Sequence, residues 1–590
     1  MTVSADVDER TLREIYLPAF ERVVTETQPA TVMASYNKVN GVYASQNPWL
    51  LTDVLRTEWG FAGAVVSDWG AVSERVAGVS AGMDLEMPGS GGGTDQEIVD
   101  AVRSGQLDEA VVDAAVRRVI ELTRLPHTAT GELDVEAHHA LARTLAGDSI
   151  VLLKNDAGTL PLAGSTRIAV VGAFTTDPRF QGGGSSHINP TRTDAPLDSI
   201  RELAAERGMT VDYAPGFFLA EDDNAEVRRR EAVEVAAGAD IAIVFAGLSD
   251  REESEGFDRA TLSLPEAQLA LIREVAAATQ RTVVVLSNGG VVSLEGWHDD
   301  VDAIVEGWLL GQAGGSAIAD VLFGVVNPSG HLAETIPLRL QDNPSWNNFP
   351  GEQGHVRYGE GVMVGYRHYV SADQPVRYPF GHGLSYTTFE TSALEVEVTG
   401  PDSAIARVTV ANTGAVPGKH VVQLYVGTTA GPVRRPVREL RAFDKLWLQV
   451  GESRTVEFTL DRRAFAYWDI DLSTWVVSAG DYAIQVGHDV SQIVAEQSIA
   501  LTGDVRIRPL TLESAVGEWF GHPVVGPVLM QGLSAGMTEE QRKHAEDNPD
   551  ELKMVESMPM QQFLAFTGGA FPPEALEQLM ALSRAEATAA

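Results

Sequence analysis

The sequence predicts a multi-domain α/β plus β protein with a helical C-terminal extension. Three observations carry this. The chain has 590 residues, more than one hydrophobic core accommodates. Up to about residue 390, short apolar β-forming runs alternate with amphipathic helical stretches, the signature of βα units and parallel sheets. Beyond that point apolar and polar residues alternate with a period of two over short, regularly spaced segments, as in an antiparallel β-sandwich.

In the first region, residues 1–125, MTVSADVDERTLREIYL is acidic and has no apolar core of a secretory signal. It reads as a helix already under way over residues 9–25, with Leu12, Ile15, Tyr16 and Phe20 on one face. TVMASYN follows as a strand ending on Tyr36 and Asn37, then NPWLLTDVLRTEWG as a helix capped by Asn47. AVVSDW is a strand, AVSERVAGVSAG a helix, and AGMDLEMPG a last short strand before the loop GSGGGT. QEIVDAVRSG and LDEAVVDAAVRRVIELTRL are strongly periodic helices. Residues 126–145 read as a linker with a helix. A second α/β region over 146–389 has the strands SIVLLKN, RIAVVG, MTVDYA, ADIAIVFAG, RTVVVLSNG and DAIVEGWL. In 390–503 the strands SALEVEVTG, IARVTVANTG, HVVQLYVGTT, TVEFTLD, WVVSAGDYAIQVG and EQSIALTG indicate a sandwich of the fibronectin type III kind. Residues 504–590 form an amphipathic, Met- and Glu-rich extension, expected to pack on the surface or to link protomers in a homo-oligomer.

The bulk properties exclude several function classes. A formal net charge of −38 opposes a nucleic-acid partner, which needs concentrated Lys and Arg. No apolar run is long enough to span a bilayer, so no membrane partner is expected. The chain has no cysteine, which rules out disulfides and Cys-ligated zinc and fits a cytoplasmic location. In RIAVVGAFTTDPRFQGGGSSH the glycines Gly182–Gly184 lie too far from the strand end for a dinucleotide loop. Glu136, His138 and His139 invite a metal reading, but adjacent histidines on a helix point apart, so a solvated face is expected. No G-x-S-x-G nucleophile elbow occurs.

Two carboxylates in different regions remain. Asp68 follows the strand AVVS; on local sequence a helix cap is the simpler reading, and a catalytic group at a strand end the alternative. Glu255 lies in SDREESEGFDRATLSLP, most simply a solvated charged turn, but long enough to reach another domain. Two carboxylates facing one glycosidic bond are what a glycosidase needs.

The ordered set VDERTLREIYLPAFE, VMASYNKVNG, LLTDVLRTEWGFAGAVVSDWGA, AGMDLEMPG, VLLKNDAGTLPL, QGGGSSHINPT, ESEGFDR, NPSGHLAETIP and FGHGLSYTTFE resembles glycoside hydrolase family 3, in its bacterial β-glucosidase branch. The resemblance covers most of residues 6–503 and overturns both simpler readings. It implies the C-terminal part of a (β/α)8 TIM-type barrel, then an α/β sandwich and a fibronectin type III-like domain. It implies Asp68 as nucleophile and Glu255, the Glu of the E-G-x-D-R pattern, as acid/base, ahead of the rivals Glu252, Glu253 and Asp258. Trp69 corresponds to a residue packing on the sugar ring, Met33 and Tyr36 to the glycone pocket, and Ser185 to a second-domain loop approaching the glycone. Core packing is the alternative for Trp69 and Met33. The implied reaction is a retaining double displacement on terminal β-D-glucosyl residues of β-glucosides or short β-linked oligosaccharides. It needs no metal or organic cofactor. The nucleophile must be ionised while the acid starts protonated, with the carboxyl groups roughly 5–5.5 Å apart. A β-xylosidase or an arabinose-active relative is the alternative enzyme.

The resemblance also implies upstream βα units, with an Asp, an Arg and a Lys-His pair that hold the glycone hydroxyls, before the equivalent of Met1. Three parallel strands do not close a barrel and leave an edge open. The chain as written is therefore expected to aggregate or to hydrolyse nitrophenyl β-glucoside negligibly, and an inactive structural or interaction module is the competing reading.

Overall fold

The computed structural model describes the chain except residues 126–130, 165, 220–223, 505–507, 537–552, 554, 567–571 and 590. Parts of the anticipated linker and C-terminal extension lie outside the described residues. Contacts divide the chain into two compact units, Met1–Thr502 and Gly503–Ala590.

The N-terminal region begins differently from expectation. Ser4–Asp6 is a strand, parallel to both His355–Arg357 and Lys38–Val39. Asp8 then caps a helical start, accepting the Thr11 N–H at 2.9 Å. The helical stretch makes a π-turn over Leu12–Tyr16, closed by the Leu17 N–H on Leu12 O at 2.9 Å, and runs on through Leu17 into Pro18–Thr27. The extra residue of the π-turn shifts the register, and Phe20 faces outward, 57% exposed, off the face predicted for it.

The strands Thr31–Ala34 and Ala64–Ser67 pair in parallel, Met33 opposite Val66 and Ala34 opposite Ser67. The third expected strand is a single bridge from Val66 to Leu85. The Asp84 and Leu85 N–H groups both go to the Val65 carbonyl, and the buried Asp84 carboxylate takes the Val65 N–H, Arg56 and Arg118 at 2.8, 2.6 and 2.9 Å. These bonds replace a regular ladder. Asn47 accepts the Leu50 N–H at 3.1 Å at the start of the Trp49–Glu58 helix, as anticipated. Val24, Leu51, Leu55, Phe61, Val65 and Met83 form the core beneath. Among the described residues, these parallel strands do not close into a barrel.

The second region is a six-stranded sheet in the order Val151–Asn155, Ala303–Glu306, Thr282–Ser287, Ile241–Gly247, Arg167–Val171, Thr210–Ala214. All neighbours are parallel except the first pair. Ile241–Gly247 and Thr282–Ser287 are buried along their whole length, since helices cover both faces of such a sheet. All six strands match the apolar runs read from sequence. In the third region the sandwich has sheets of three and four strands, including Glu439–Leu448, which the sequence reading missed. Its period-two pattern is broken by Phe443 and Trp447, apolar residues that face outward. The second unit carries its own small core of Leu510, Val516, Trp519, Val525, Leu529, Met560 and Leu576. No helix among the described residues is long and apolar enough to cross a membrane.

The α/β sandwich and the fibronectin-like sheets meet around a cavity of about 330 Å³ lined by His331, His382, His420 and His488 with Lys419. Burial pushes His331 down to about 4 and His420 down to about 3, from roughly 6.5 for an exposed imidazole. The unfolded chain therefore takes up these protons first. The stability they contribute is complete above about pH 6.5 and falls as pH drops towards the folded-state values. Thermal unfolding followed from neutral to acid pH should show His420→Leu losing less stability than the parent chain; parallel curves would contradict this.

Candidate active site

Asp68 directly follows the Ala64–Ser67 strand. Its N–H donates to Ala34 O at 3.0 Å, which fixes it level with the end of the neighbouring strand. The helix after it begins at Arg75, so Asp68 does not cap that helix. Its Oδ1 instead accepts the Trp69 N–H at 2.7 Å, and its carbonyl accepts from Ala71 at 3.1 Å. The carboxylate thus stands at a strand C-terminus, where parallel α/β architectures carry their chemistry. Met33 and Trp69 are 54% and 58% exposed, so neither is a core residue.

Tyr36 lies beside Asp68. Its phenol is pushed above its ordinary value first by a hydrogen bond to Asp68, then by desolvation, and by the charges of Asp68 and of Glu255.

Glu255 is exposed, and Ser185 donates its hydroxyl proton to Glu255 Oε2. The two loops are stitched by a parallel bridge between Gly183 and Ser254. The Gly182–Gly184 run, too far from its strand end for a dinucleotide loop, serves this contact. Gly184 has φ +90°, and a Cβ there would lie 2.5 Å from Glu255 Cβ, which real side chains do not tolerate. The rival acids have other partners. Glu253 grips the N–H groups of Gly289 and Gly290 at 2.7 Å each. Glu252 accepts the Ser249 N–H at 2.7 Å and the Ser249 hydroxyl. Asp258 is exposed.

The sequence reading missed Arg179. Buried, it donates to the carbonyls of Leu248, Gln181 and Glu253 and pairs with Asp250 at 2.9 Å, tying the Ser185 loop to the Glu255 loop. Nothing local marks it, since its partners come from a distant strand end. His139 is a correction: it is buried, not on a solvated face, and contacts Asp194 at 3.0 Å and Gln312 at 2.7 Å, because its helix packs against the sandwich. Glu136 pairs with Arg192 at 3.0 Å.

Residues 2–122 match the glycosyl hydrolase family 3 N-terminal domain, 150–386 the family 3 C-terminal domain and 420–490 a fibronectin type III-like domain. The chain is similar to an exo-α-(1→6)-L-arabinopyranosidase of Bifidobacterium longum, 48% identical over 91% of this chain and 73% of that protein. It is similar to the thermostable β-glucosidase B of Acetivibrio thermocellus, 45% identical over 98% and 78%. Its fold is similar to the crystal structure of a family 3 β-glucosidase from Bifidobacterium adolescentis, with TM-score 0.85 and 47% identity over 90% of this chain and 78% of that one. The chain belongs to glycoside hydrolase family 3.

Proposed function

We propose that the chain is a retaining exo-acting β-glycosidase for terminal β-D-glucosyl residues, with Asp68 as nucleophile and Glu255 as acid/base. The nucleophile then comes from a domain drawn at 1–125 and the acid/base from one at 146–389. The observation that carries this reading is a carboxylate, Asp68, at the C-terminal end of a parallel strand in a family 3 chain, with Ser185 holding Glu255 on a neighbouring loop. In the first step Asp68 attacks the anomeric carbon while Glu255 protonates the leaving oxygen; in the second, Glu255 deprotonates water, which displaces Asp68. Tyr36 donates to the Asp68 carboxylate, holding it in one orientation. Trp69 and Met33 offer apolar surface to a sugar ring, and Ser185 orients Glu255.

A second reading has a specific observation behind it, the similarity to arabinopyranosidases. An α-L-arabinopyranoside presents an equatorial anomeric bond like a β-D-glucoside, so the same carboxylate pair serves both. In a preparation that turns these substrates over, hydrolysis of nitrophenyl β-D-glucoside and α-L-arabinopyranoside, followed by NMR of the first-formed anomer, tests the proposal. Net retention and a higher kcat/KM on the glucoside are expected. Inversion, or preference for the arabinoside, contradicts it. Tyr36→Phe should lower kcat by about 10- to 100-fold, the scale of one hydrogen bond to a charged group, with KM little changed; an unaltered kcat would remove Tyr36 from the mechanism.

A further inference from the structure

A buried carboxyl beneath the Glu255 loop has no part in the scheme above. Glu306 ends the Ala303–Glu306 strand, opposite Leu286 on the Thr282–Ser287 strand, and is 1% exposed. Its Oε1 accepts the Trp308 N–H at 3.0 Å and its Oε2 the Asn288 amide at 3.3 Å. Trp308 has φ +46°, a left-handed conformation that side-chain-bearing residues seldom adopt, and the bond to Glu306 helps hold it. Asn288, fully buried, also donates to Gly290 O at 3.1 Å. Gly289 and Gly290 in turn grip both oxygens of Glu253.

We propose that Glu306 is the positioning residue of the acid/base loop: it holds Asn288, Asn288 holds the Gly289–Gly290 turn, and that turn holds Glu253, two residues before Glu255. The relay runs from the floor of the sheet to the loop without touching the reacting atoms. The bond from Gly290 to Glu253 fixes one point of the loop, and Arg179 on the Glu253 carbonyl fixes another.

The surroundings make the relay sensitive to the charge on Glu306. Its charged neighbours are two further carboxylates, Glu253 and Glu334. Arg259 acts on Glu334, and Arg179 lies 3.6 Å from Glu253. Desolvation first, and those two carboxylates after it, push Glu306 up to about 8, against the bonds from Trp308 and Asn288. Near neutral pH the carboxyl is uncharged and the relay is intact. As pH rises through about 8, the Trp308 and Asn288 donors hold the ionised Glu306 more firmly, but its charge beside Glu253 and Glu334 repels Glu253, and the Glu253 grip on the glycine turn loosens.

Hydrogen–deuterium exchange of peptides spanning residues 249–259 and 288–290 tests this on the full chain, with rates corrected for the intrinsic pH dependence of amide exchange. Between about pH 6.5 and about pH 9 the parent chain should lose about tenfold protection in these peptides, with a midpoint near 8, while the Gly418–Thr428 strand is unchanged. Glu306→Gln, which cannot ionise, should keep the loop protected across the range. Asn288→Ala should expose the loop already at the lower pH, which keeps the test open if the first variant does not fold. The same pH-dependent loosening in Glu306→Gln as in the parent, no loosening in the parent, or an unchanged loop in Asn288→Ala overturns the proposal. It rests on Glu255 as the acid/base, but exchange is read without turnover. Failure of the glycosidase reading would leave the exchange pattern standing, and failure of the relay would leave the glycosidase reading standing.

Discussion

Asp68→Asn should lower turnover by roughly ten-thousand-fold or more, the scale of losing a covalent nucleophile, in a preparation that hydrolyses nitrophenyl β-glucoside. The amide keeps the size of the carboxylate and its acceptor oxygen for Trp69 N–H, so the strand end should be undisturbed and the protein should unfold as the parent does. It cannot attack the anomeric carbon. A residual rate within tenfold of the parent would mean that another group does the attacking. Asp84 is no rival, since it lies beside Val65 near the start of the same strand, and Arg56, Arg118 and the Val65 N–H occupy its oxygens.

Glu255→Ala should divide substrates by leaving group. Glycosides with poor leaving groups need protonation in the first step and should slow by about 100- to 10,000-fold, the range of general-acid assistance. Activated aryl glycosides need little protonation and should retain far more of their first-step rate. Added azide should restore turnover of the activated substrate and yield a β-glycosyl azide, since a small anion attacks the intermediate without a general base. Glu253→Ala offers the sharpest comparison. It removes the grip on Gly289 and Gly290 and should weaken activity without azide rescue. If azide rescues Glu253→Ala or Asp258→Ala but not Glu255→Ala, the acid/base has been misassigned.

The sheet strands of the α/β sandwich were legible in sequence because continuous apolar runs such as IAIVFAG leave few alternatives to a doubly covered parallel strand. Ser4–Asp6 was not, because a three-residue strand has no period to read and its partner His355–Arg357 lies far along the chain. The Glu439–Leu448 strand was hidden by Phe443 and Trp447, which put apolar side chains on its outer face. At the site, local sequence favoured a cap for Asp68 and a solvated turn for Glu255; the family resemblance, not local pattern, pointed to both. The rivalry among the loop acids was equally opaque, since only the fold reveals that Glu253 and Glu252 serve backbone N–H groups. Arg179 and Glu306 gave no signal, because their roles depend on partners brought from other strands.

The central claim is that the sugar is carried covalently on Asp68 between the two steps. Incubation with a 2-deoxy-2-fluoro β-glucoside bearing a good leaving group slows the second step and lets the intermediate accumulate. Peptide mass spectrometry of an active preparation should then find one fluorosugar on the peptide containing VVSDWG, attached at Asp68, and none on the Asp68→Asn variant. A label on any other peptide, or turnover with no label at all, would contradict the account.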